Sequence, residues 1–530
     1  MASIFDRVID YKDSDKVAIY FKKHNITYKK LYKNVLRMSN YFVNIGIKKG
    51  DIVTLVLPNI PTCVYALYAL NYIGAKVSIL HFLTRFKAIV DKMDVLKSKY
   101  VILPETFIEG SNDYIAKNDK KFILVNPFKY HSWLKRLVYY FKKPSIKKSR
   151  NIFNLDEFTN TRVELTSFNN FEKNETSFFI HSGGTTDVPK IVELSNEAIE
   201  GISINLFNGI SSENNKTLAV LPIFHCYGLC VGIHSFLSIH ASIYLMDKFS
   251  PSEVISGINS GKINMIIAIP AMMKKIMEDK HFKKCKIENL GECFVGADSL
   301  NTTLIKEFNK LVRFKKTNAK IYEGYGLTET SSVVIVNTKS NYKLGSLGKP
   351  TANVDVIILD DDNNIVKANE IGEICITGNT LMNGYYNNPE ATKDSFIDID
   401  GKKYLRTGDI GYIDKEGFVF FKERKKRVFK ISGVTIYPRE IENLVLKFDN
   451  IIKDASLELI NDDKGKPSLI LFVVKRNSND DESEIIELIM DKIKKNLIKY
   501  NWPSRIVFLD NIPKTAAGKV NHNMLISIIK

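Results

Sequence analysis

Cysteine is scarce and scattered. The 530 residues hold six, Cys63, Cys226, Cys230, Cys285, Cys293 and Cys375, with no C-x-x-C pair and no cysteine–histidine spacing of the metal-ligand kind. That pattern excludes a disulfide scaffold and a zinc site and points to a reducing cytoplasm. The N-terminus lacks the apolar core of an export signal, because Asp6 and Asp10 fall within its first turns, so no export is expected. Internal repeats are missing, and so is the G-x-x-x-x-G-K-[ST] phosphate loop. Acidic residues are in deficit: 59 against 76 basic groups leave a formal charge of +17 and a pI near 9.2. Such a balance invites nucleic acid, anionic lipid or polyphosphate ligands. The chain is crowded with Lys, Asn and Ile, whose codons are AT-rich, so genome composition alone is a second reading of the tilt, and no nucleic-acid motif accompanies it.

What remains is the composition of a folded globule, with 45% hydrophobic, 11% aromatic and 25% charged residues. It excludes a disordered or collagenous chain, and the length requires at least two domains. Thr217–Met246 contains no Asp, Glu, Lys or Arg, which is long enough for a membrane span. Pro222, Gly228, Gly232 and three histidines interrupt it, so it reads as strand, loop, buried helix and strand inside a large α/β domain. Short β-rich runs (Ile52–Leu57, Tyr100–Leu103, Phe122–Val125, Met265–Ile269, Cys293–Val295) alternate with amphipathic segments. This predicts an α/β fold of largely parallel, helix-covered sheets. Beyond about residue 345 short strands and Gly/Asn/Asp turns predict a β-rich subdomain.

The last hundred or so residues read as a small α+β domain. Ile485, Ile489, Ile493 and Leu497 line one helical face, Trp502-Pro503 closes the helix, and Ile506–Leu509 is a strand. The run Lys422-Glu423-Arg424-Lys425-Lys426-Arg427 is expected to be a solvated loop between domains. The boundary is placed between residues 425 and 426.

After the apolar run Ser177–Ile180 comes His181-Ser182-Gly183-Gly184-Thr185-Thr186-Asp187-Val188-Pro189-Lys190. Small residues let backbone N–H groups approach an anion, hydroxyls add donors and a lysine adds charge, which are the ingredients of a polyphosphate cradle. A plain surface turn has the same composition. The segments around it decide. The loop resembles the S-G-[ST]-T-G-x-P-K signature of the adenylate-forming superfamily, which includes acyl-CoA synthetases, aryl-CoA ligases, luciferases and non-ribosomal adenylation domains. The resemblance runs nearly end to end, through Gly46–Asp51 with Leu57-Pro58-Asn59, Pro222–His225, Gly296–Leu300, Tyr322–Glu329, Gly384–Thr392, Arg406–Asp409 and Pro513–Lys519. It is closest in motifs to the fatty-acid and aryl-acid CoA ligases.

That resemblance implies roles. Lys519 matches the lysine that bridges the α-phosphate and carboxylate oxygens, Thr328 a hydroxyl on the α-phosphate, and Glu329 the carboxylate that holds Mg²⁺. Ser182, Gly183, Gly184, Thr185, Thr186 and Lys190 match the phosphate loop. Gly296, Ala297, Tyr325 and Gly326 match the adenine site, Asp409 the acid that grips both ribose hydroxyls, and Arg424 a ribose and phosphate contact. His225 matches an aromatic gate to the acyl pocket, with Tyr227 and Val231 in that pocket. Lys426 falls on the hinge about which the C-terminal domain, 426–530, rotates, and Gly433 on the CoA tunnel. Taken alone, each has a plainer reading: Thr328-Glu329 as a helix N-cap, Tyr325 as core packing, His225 as a satisfied core histidine. Asp187 and Glu423 stand where the family usually has glycine.

ATP, Mg²⁺ and CoA are therefore the expected cofactor and co-substrates, and the implied reaction joins a carboxylic acid to CoA through an acyl-adenylate. No acid follows Phe224-His225-Cys226-Tyr227 before Asp247, which disfavours an amino-acid substrate, because a buried ammonium would lack a partner. A medium- or long-chain fatty acid is expected. The alternatives are an aryl acid, an acyl carrier protein as acceptor, or a non-catalytic adenylate sensor. Between residues 129 and 150, Trp133, Leu134, Leu137, Val138 and Phe141 share one helical face among eight Lys and Arg and no acid. Two readings stand side by side: an interfacial helix on an anionic membrane at the inner face of the cell, and a surface helix packed inward.

Overall fold

Runs such as Met265–Ala268 are buried at every position because strands of a parallel sheet are covered on both faces, and here the sequence alternation becomes architecture. The computed structural model describes residues 3–144, 146, 149–163, 171–182, 190–207, 214–298, 300, 302–315, 317–431, 434–461, 467–514 and 520–529. The chain divides into two compact units. The first comprises Met1–Ser182, Lys190–Asp355 and Thr377–Asp394, and the second includes Val356–Ile376 and Ser395–Lys530. The expected boundary between residues 425 and 426 lies within the second unit.

Two sheets build the first unit. In one, six parallel strands run in the order Lys320–Leu327, Glu292–Gly296, Met265–Ala268, Lys216–Ala219, Ser242–Leu245 and Val17–Phe21. Antiparallel strands extend it at both ends. In the other, Thr176–His181 and Lys76–Ile79 lead a parallel set through Ile52–Leu55, Tyr100–Pro104, Lys121–Val125 and Ile152–Asn154. Ile191–Ser195 and Gly384–Tyr385 add antiparallel strands at its edge.

The charge-free stretch resolves as read, into Lys216–Ala219, a π-helix over Tyr227–Ser235 and Ser242–Leu245, every residue of that helix being buried. Among the described residues no helix is long and apolar enough to cross a membrane.

In the second unit, strands Val354–Leu359, Gly372–Gly378, Lys402–Ile413 and Phe396–Ile399 form an antiparallel sheet, with Val419–Arg424 also paired to Lys402–Ile413. This is the predicted β-rich part. The C-terminal residues pack helices Pro438–Val445 and Glu482–Asn496 on one face of a three-stranded sheet around Ile441, Leu457, Leu471 and Ile489. Helix His522–Ile529 covers the other face through Leu525.

Two expectations are corrected. Lys422-Glu423-Arg424 is strand rather than loop, and only Lys425–Arg427 form a turn. The charges there sit on a paired backbone, with Asp409 opposite Arg424 and Ile410 opposite Glu423. The helix carrying Ile485, Ile489 and Ile493 ends at Asn496, short of Trp502-Pro503, because Leu497 is already extended; the Trp502 indole N–H instead donates to the Leu497 carbonyl at 3.0 Å.

Candidate functional site

Ligands of open α/β sheets lie beyond the carboxyl ends of the parallel strands. In the first unit those ends carry Ser182, Gly296, Ala297, Tyr325, Gly326, Thr328 and Glu329. Strand Thr176–His181 delivers Ser182, whose N–H and hydroxyl donate to the Lys190 carbonyl at 2.9 and 3.0 Å, while the Lys190 N–H donates back to Ser182 Oγ at 3.1 Å. The two ends of the expected phosphate loop are thus pinned together. Gly183, Gly184, Thr185, Thr186 and Asp187 lie outside the described residues.

His181 stands just before this loop, yet it adds no positive charge to it. Its Nε2 lies 3.3 Å from Ser78 Oγ and its Nδ1 3.3 Å from Lys92 Nζ. Burial, and then the neighbouring Lys92 ammonium, push the imidazole pKa down to about 3. Between that value and 6.5 the unfolded chain binds a proton that the folded chain refuses, so stability is complete above pH 6.5 and falls as pH drops. His181→Gln is expected to remove up to about 1.4 kcal/mol per pH unit of that acid-side slope, measured as urea midpoints between pH 4 and 7.

Strand Glu292–Gly296 ends against strand Lys320–Leu327 so closely that a Cβ on Gly296 would fall 2.5 Å from the Gly324 carbonyl oxygen. Ala297, the next residue, holds a left-handed φ of +66°. An alanine kept there by its surroundings is the kind of local strain that accumulates at functional sites. Gly326 is equally constrained, because a Cβ would lie 1.7 Å from the Ser332 carbonyl oxygen, where the pairing with Ser332–Val336 shifts register. Tyr325 is half-buried between these glycines.

Thr328 and Glu329 open a tight turn. The capping is done by Thr330, whose hydroxyl accepts from the Leu327 N–H at 2.9 Å and donates to the Ser332 carbonyl at 2.8 Å. The turn is anchored to the segment 380–385: Ser331 Oγ donates to the Thr380 carbonyl and the Met382 N–H to the Glu329 carbonyl.

Sequence reasoning missed Tyr385. Its hydroxyl donates to Glu329 Oε1 at 2.8 Å, and Lys190 Nζ stands 4.5 Å from its ring centroid. One phenol thus ties the expected metal carboxylate to the expected phosphate lysine. The motif Gly384-Tyr385-Tyr386 was in view, but the sequence does not say which tyrosine turns inward. Tyr385→Phe keeps the ring and removes the hydrogen bond to the carboxylate. It is expected to lower kcat/KM for ATP about tenfold and to raise the Mg²⁺ needed for half-maximal rate, as read from initial rates over an Mg²⁺ series.

Among the described residues no cluster of three or more His, Cys, Asp or Glu is placed to hold a metal. A single oriented carboxylate fits Mg²⁺, which is commonly held by one or two carboxylates together with substrate phosphates and water.

The expected acyl-pocket residues sit on the π-helix. Tyr227 is buried, its hydroxyl donates to the Phe294 carbonyl at 3.2 Å, and burial raises its pKa above the ordinary phenol value. Val231 is buried one turn on. Gly228 lets this helix meet the strand end, where a Cβ would lie 2.3 Å from the Pro222 carbonyl oxygen. His225 is exposed at the start of the segment, its ring 4.5 Å from Phe224, which in turn lies 4.4 Å from His81. The core-histidine reading of His225 does not hold.

In the second unit Asp409 is fully buried and Arg424 Nη1 lies 2.9 Å from its Oδ1, so the two expected ribose contacts are adjacent. Glu373, not singled out from the sequence, organises the stretch of strand Lys402–Ile413 just before Asp409. It accepts from Arg406 Nε and Nη2 at 3.1 and 2.8 Å, from Lys425 Nζ at 2.9 Å and from the Gly408 N–H at 3.1 Å. Burial alone would raise its pKa, but the hydrogen bonds from Arg406 and Lys425 outweigh it and hold the carboxyl below its ordinary value. Its one legible signal was an acid inside the otherwise apolar strand Gly372–Gly378.

Glu423 is buried too, and its oxygens accept from the Arg424 and Arg439 N–H groups at 2.9 Å each. It therefore joins strand Val419–Arg424 to helix Pro438–Val445. Burial raises its pKa against the pull of Arg427 and those two N–H groups. Lys426 is exposed in the turn Lys425–Arg427, while Gly433 and Lys519 lie outside the described residues.

Residues 5–386 match the AMP-binding enzyme family and 440–519 the AMP-binding enzyme C-terminal domain. A 4-coumarate:CoA ligase of Petunia hybrida is 26% identical over 97% of this chain and 91% of its own length. A 4-coumarate–CoA ligase of Nicotiana tabacum is 29% identical over 90% of this chain and 84% of its own. In fold the chain is similar to ATP-bound MatB from Rhodopseudomonas palustris, with TM-score 0.86, 20% identity and coverage of 100% of this chain and 99% of that one. It is also similar to the o-succinylbenzoate CoA synthetase of Bacillus subtilis in complex with an acyl-adenylate, with TM-score 0.80, 22% identity and coverage of 99% and 98%.

Proposed function

The chain belongs to the AMP-binding enzyme family, and from that premise we propose that it is an ATP-dependent acid–CoA ligase acting on an aryl acid that carries no charge besides its carboxylate. The observation that carries this reading is the similarity, over nine tenths of the chain or more, to 4-coumarate–CoA ligases. The uncharged, buried Tyr227 and Val231 support an apolar substrate.

The reaction has two halves. A substrate carboxylate oxygen bonds to the α-phosphorus of ATP as the bond to pyrophosphate breaks. The CoA sulfur then bonds to the acyl carbon as AMP leaves. Charge builds on the α-phosphate in the first half, so the groups that matter are donors fixed around it. Thr328 and Lys519 hold the phosphate oxygens, the pinned loop Ser182–Lys190 holds the β- and γ-phosphates, and Asp409 with Arg424 holds the ribose. Glu329 would hold Mg²⁺, which would supply positive charge to the phosphates. Tyr385 orients that carboxylate. Residues 426–530 carry Lys519 toward the first half-reaction and, turning about Lys426, open the Gly433 path for CoA.

A fatty acid is a second reading, favoured by the exposed apolar face of helix Trp133–Lys142 described below. Pyrophosphate release across 4-coumarate, benzoate, octanoate and palmitate, with and without CoA, tests both. Turnover with the aryl acids supports the proposal, and turnover with palmitate alone replaces it by the fatty-acid reading. Adenylate that accumulates despite CoA points to a carrier-protein acceptor, and no release with any acid to a sensor.

A further inference from the structure

Helix Trp133–Lys142 leaves exposed the apolar face that an ordinary surface helix packs. Such a helix hides its apolar stripe and shows its charges. Here Tyr139 is the one buried side chain, stacked on Phe128 at 4.5 Å. The apolar residues face out, from Leu137 at 47% exposed to Phe141 at 78%, with Trp133 at 70%. At about 100° per residue, Trp133, Leu134, Leu137, Val138 and Phe141 cover an arc of about 140° whose centre lies roughly opposite Tyr139. Lys135 and Lys142 stand at one border of that arc.

Charge decides what covers this face. Residues 129–150 hold eight Lys and Arg and no acid, although Lys129 is engaged with Asp156 at 2.7 Å. A second copy would set like charge against like, so self-association through this helix is disfavoured. A bilayer bearing anionic headgroups meets both requirements, taking the apolar side chains below the headgroups and the lysines among them. We propose that helix Trp133–Lys142 docks the protein on anionic membrane surfaces. The proposal is independent of the ligase reading, since it invokes none of the residues assigned to the reaction.

Co-sedimentation of the full chain with vesicles tests it. Binding is expected to phosphatidylcholine vesicles containing roughly 30% phosphatidylglycerol, with little to phosphatidylcholine alone and release at about 0.5 M salt. Neutralising three basic groups in K135Q/K142Q/K143Q should weaken binding about 100-fold, at roughly fivefold per charge. L137S/F141S should weaken it at least tenfold without changing the far-UV spectrum or the melting temperature, because both side chains are already exposed. In W502F, Trp133 is the sole indole, and its emission should shift to the blue on anionic vesicles. Absence of binding, or binding that neither variant reduces, overturns the proposal. So does a wild-type dimer in sedimentation velocity that L137S/F141S splits while vesicles stay unbound, because the face would then be a contact between copies.

Discussion

Replacing Lys519 by alanine is expected to slow acyl-adenylate formation by about 10²–10³-fold, the usual loss for one donor aimed at transition-state charge. The same variant should convert a supplied acyl-adenylate and CoA to thioester at nearly the parent rate. The reason is chemical. In the first half-reaction two anions approach and negative charge spreads over the α-phosphate oxygens, so a fixed ammonium is worth most there. In the second, a neutral thioester forms and AMP departs already bound, so the same ammonium has little to stabilise. Pyrophosphate release and thioester formation, measured separately, read the two halves. Equal loss in both would mean that Lys519 supports folding or CoA binding, and the two-position scheme about Lys426 would fall with it.

The order of motifs from Gly46 to Lys519 was legible because each depends on residue type: small residues where backbone must approach a ligand, and charge where phosphate must be held. Gly296 and Gly326 show why, since a Cβ at either meets a neighbouring carbonyl oxygen. What the sequence hid were contacts between distant segments. Tyr385 reaches Glu329 across the turn from a separate strand, and nothing in Gly384-Tyr385-Tyr386 marks which ring does so. The run Lys422–Arg427 looked like loop because charge usually means solvent. Glu423 escapes that rule, as its carboxylate is satisfied by two backbone N–H groups. For helix Trp133–Lys142 the periodicity gave both faces but not their direction, which the single packed ring of Tyr139 settles.

Glu373→Gln is expected to destabilise the second unit by about 2–3 kcal/mol and to raise the KM for ATP about tenfold. Breaking a fully buried ion pair costs about 3–5 kcal/mol, because the partner is left charged without water. Here the partners Arg406 and Lys425 keep 25% and 43% of their side-chain surface in solvent, so the lower figure applies. A melting-temperature fall of about 5–10 °C in the transition of that unit follows. The pH dependence identifies the source. The folded carboxyl sits below the ordinary 4.5, so just below that pH the unfolded chain binds more protons than the folded one. Stability from Glu373 is therefore complete above pH 4.5 and drains away as pH falls through the depressed folded value. The glutamine variant lacks that drain, and the two melting curves should converge on acidification. The effect on ATP has a separate cause, since Glu373 Oε1 holds the Gly408 N–H one residue before Asp409. An amide oxygen accepts that bond more weakly than a carboxylate, and the ribose acid loses its fixed position. A fall in melting temperature with KM unchanged would assign Glu373 to stability alone; both moving together makes it the residue that positions Asp409.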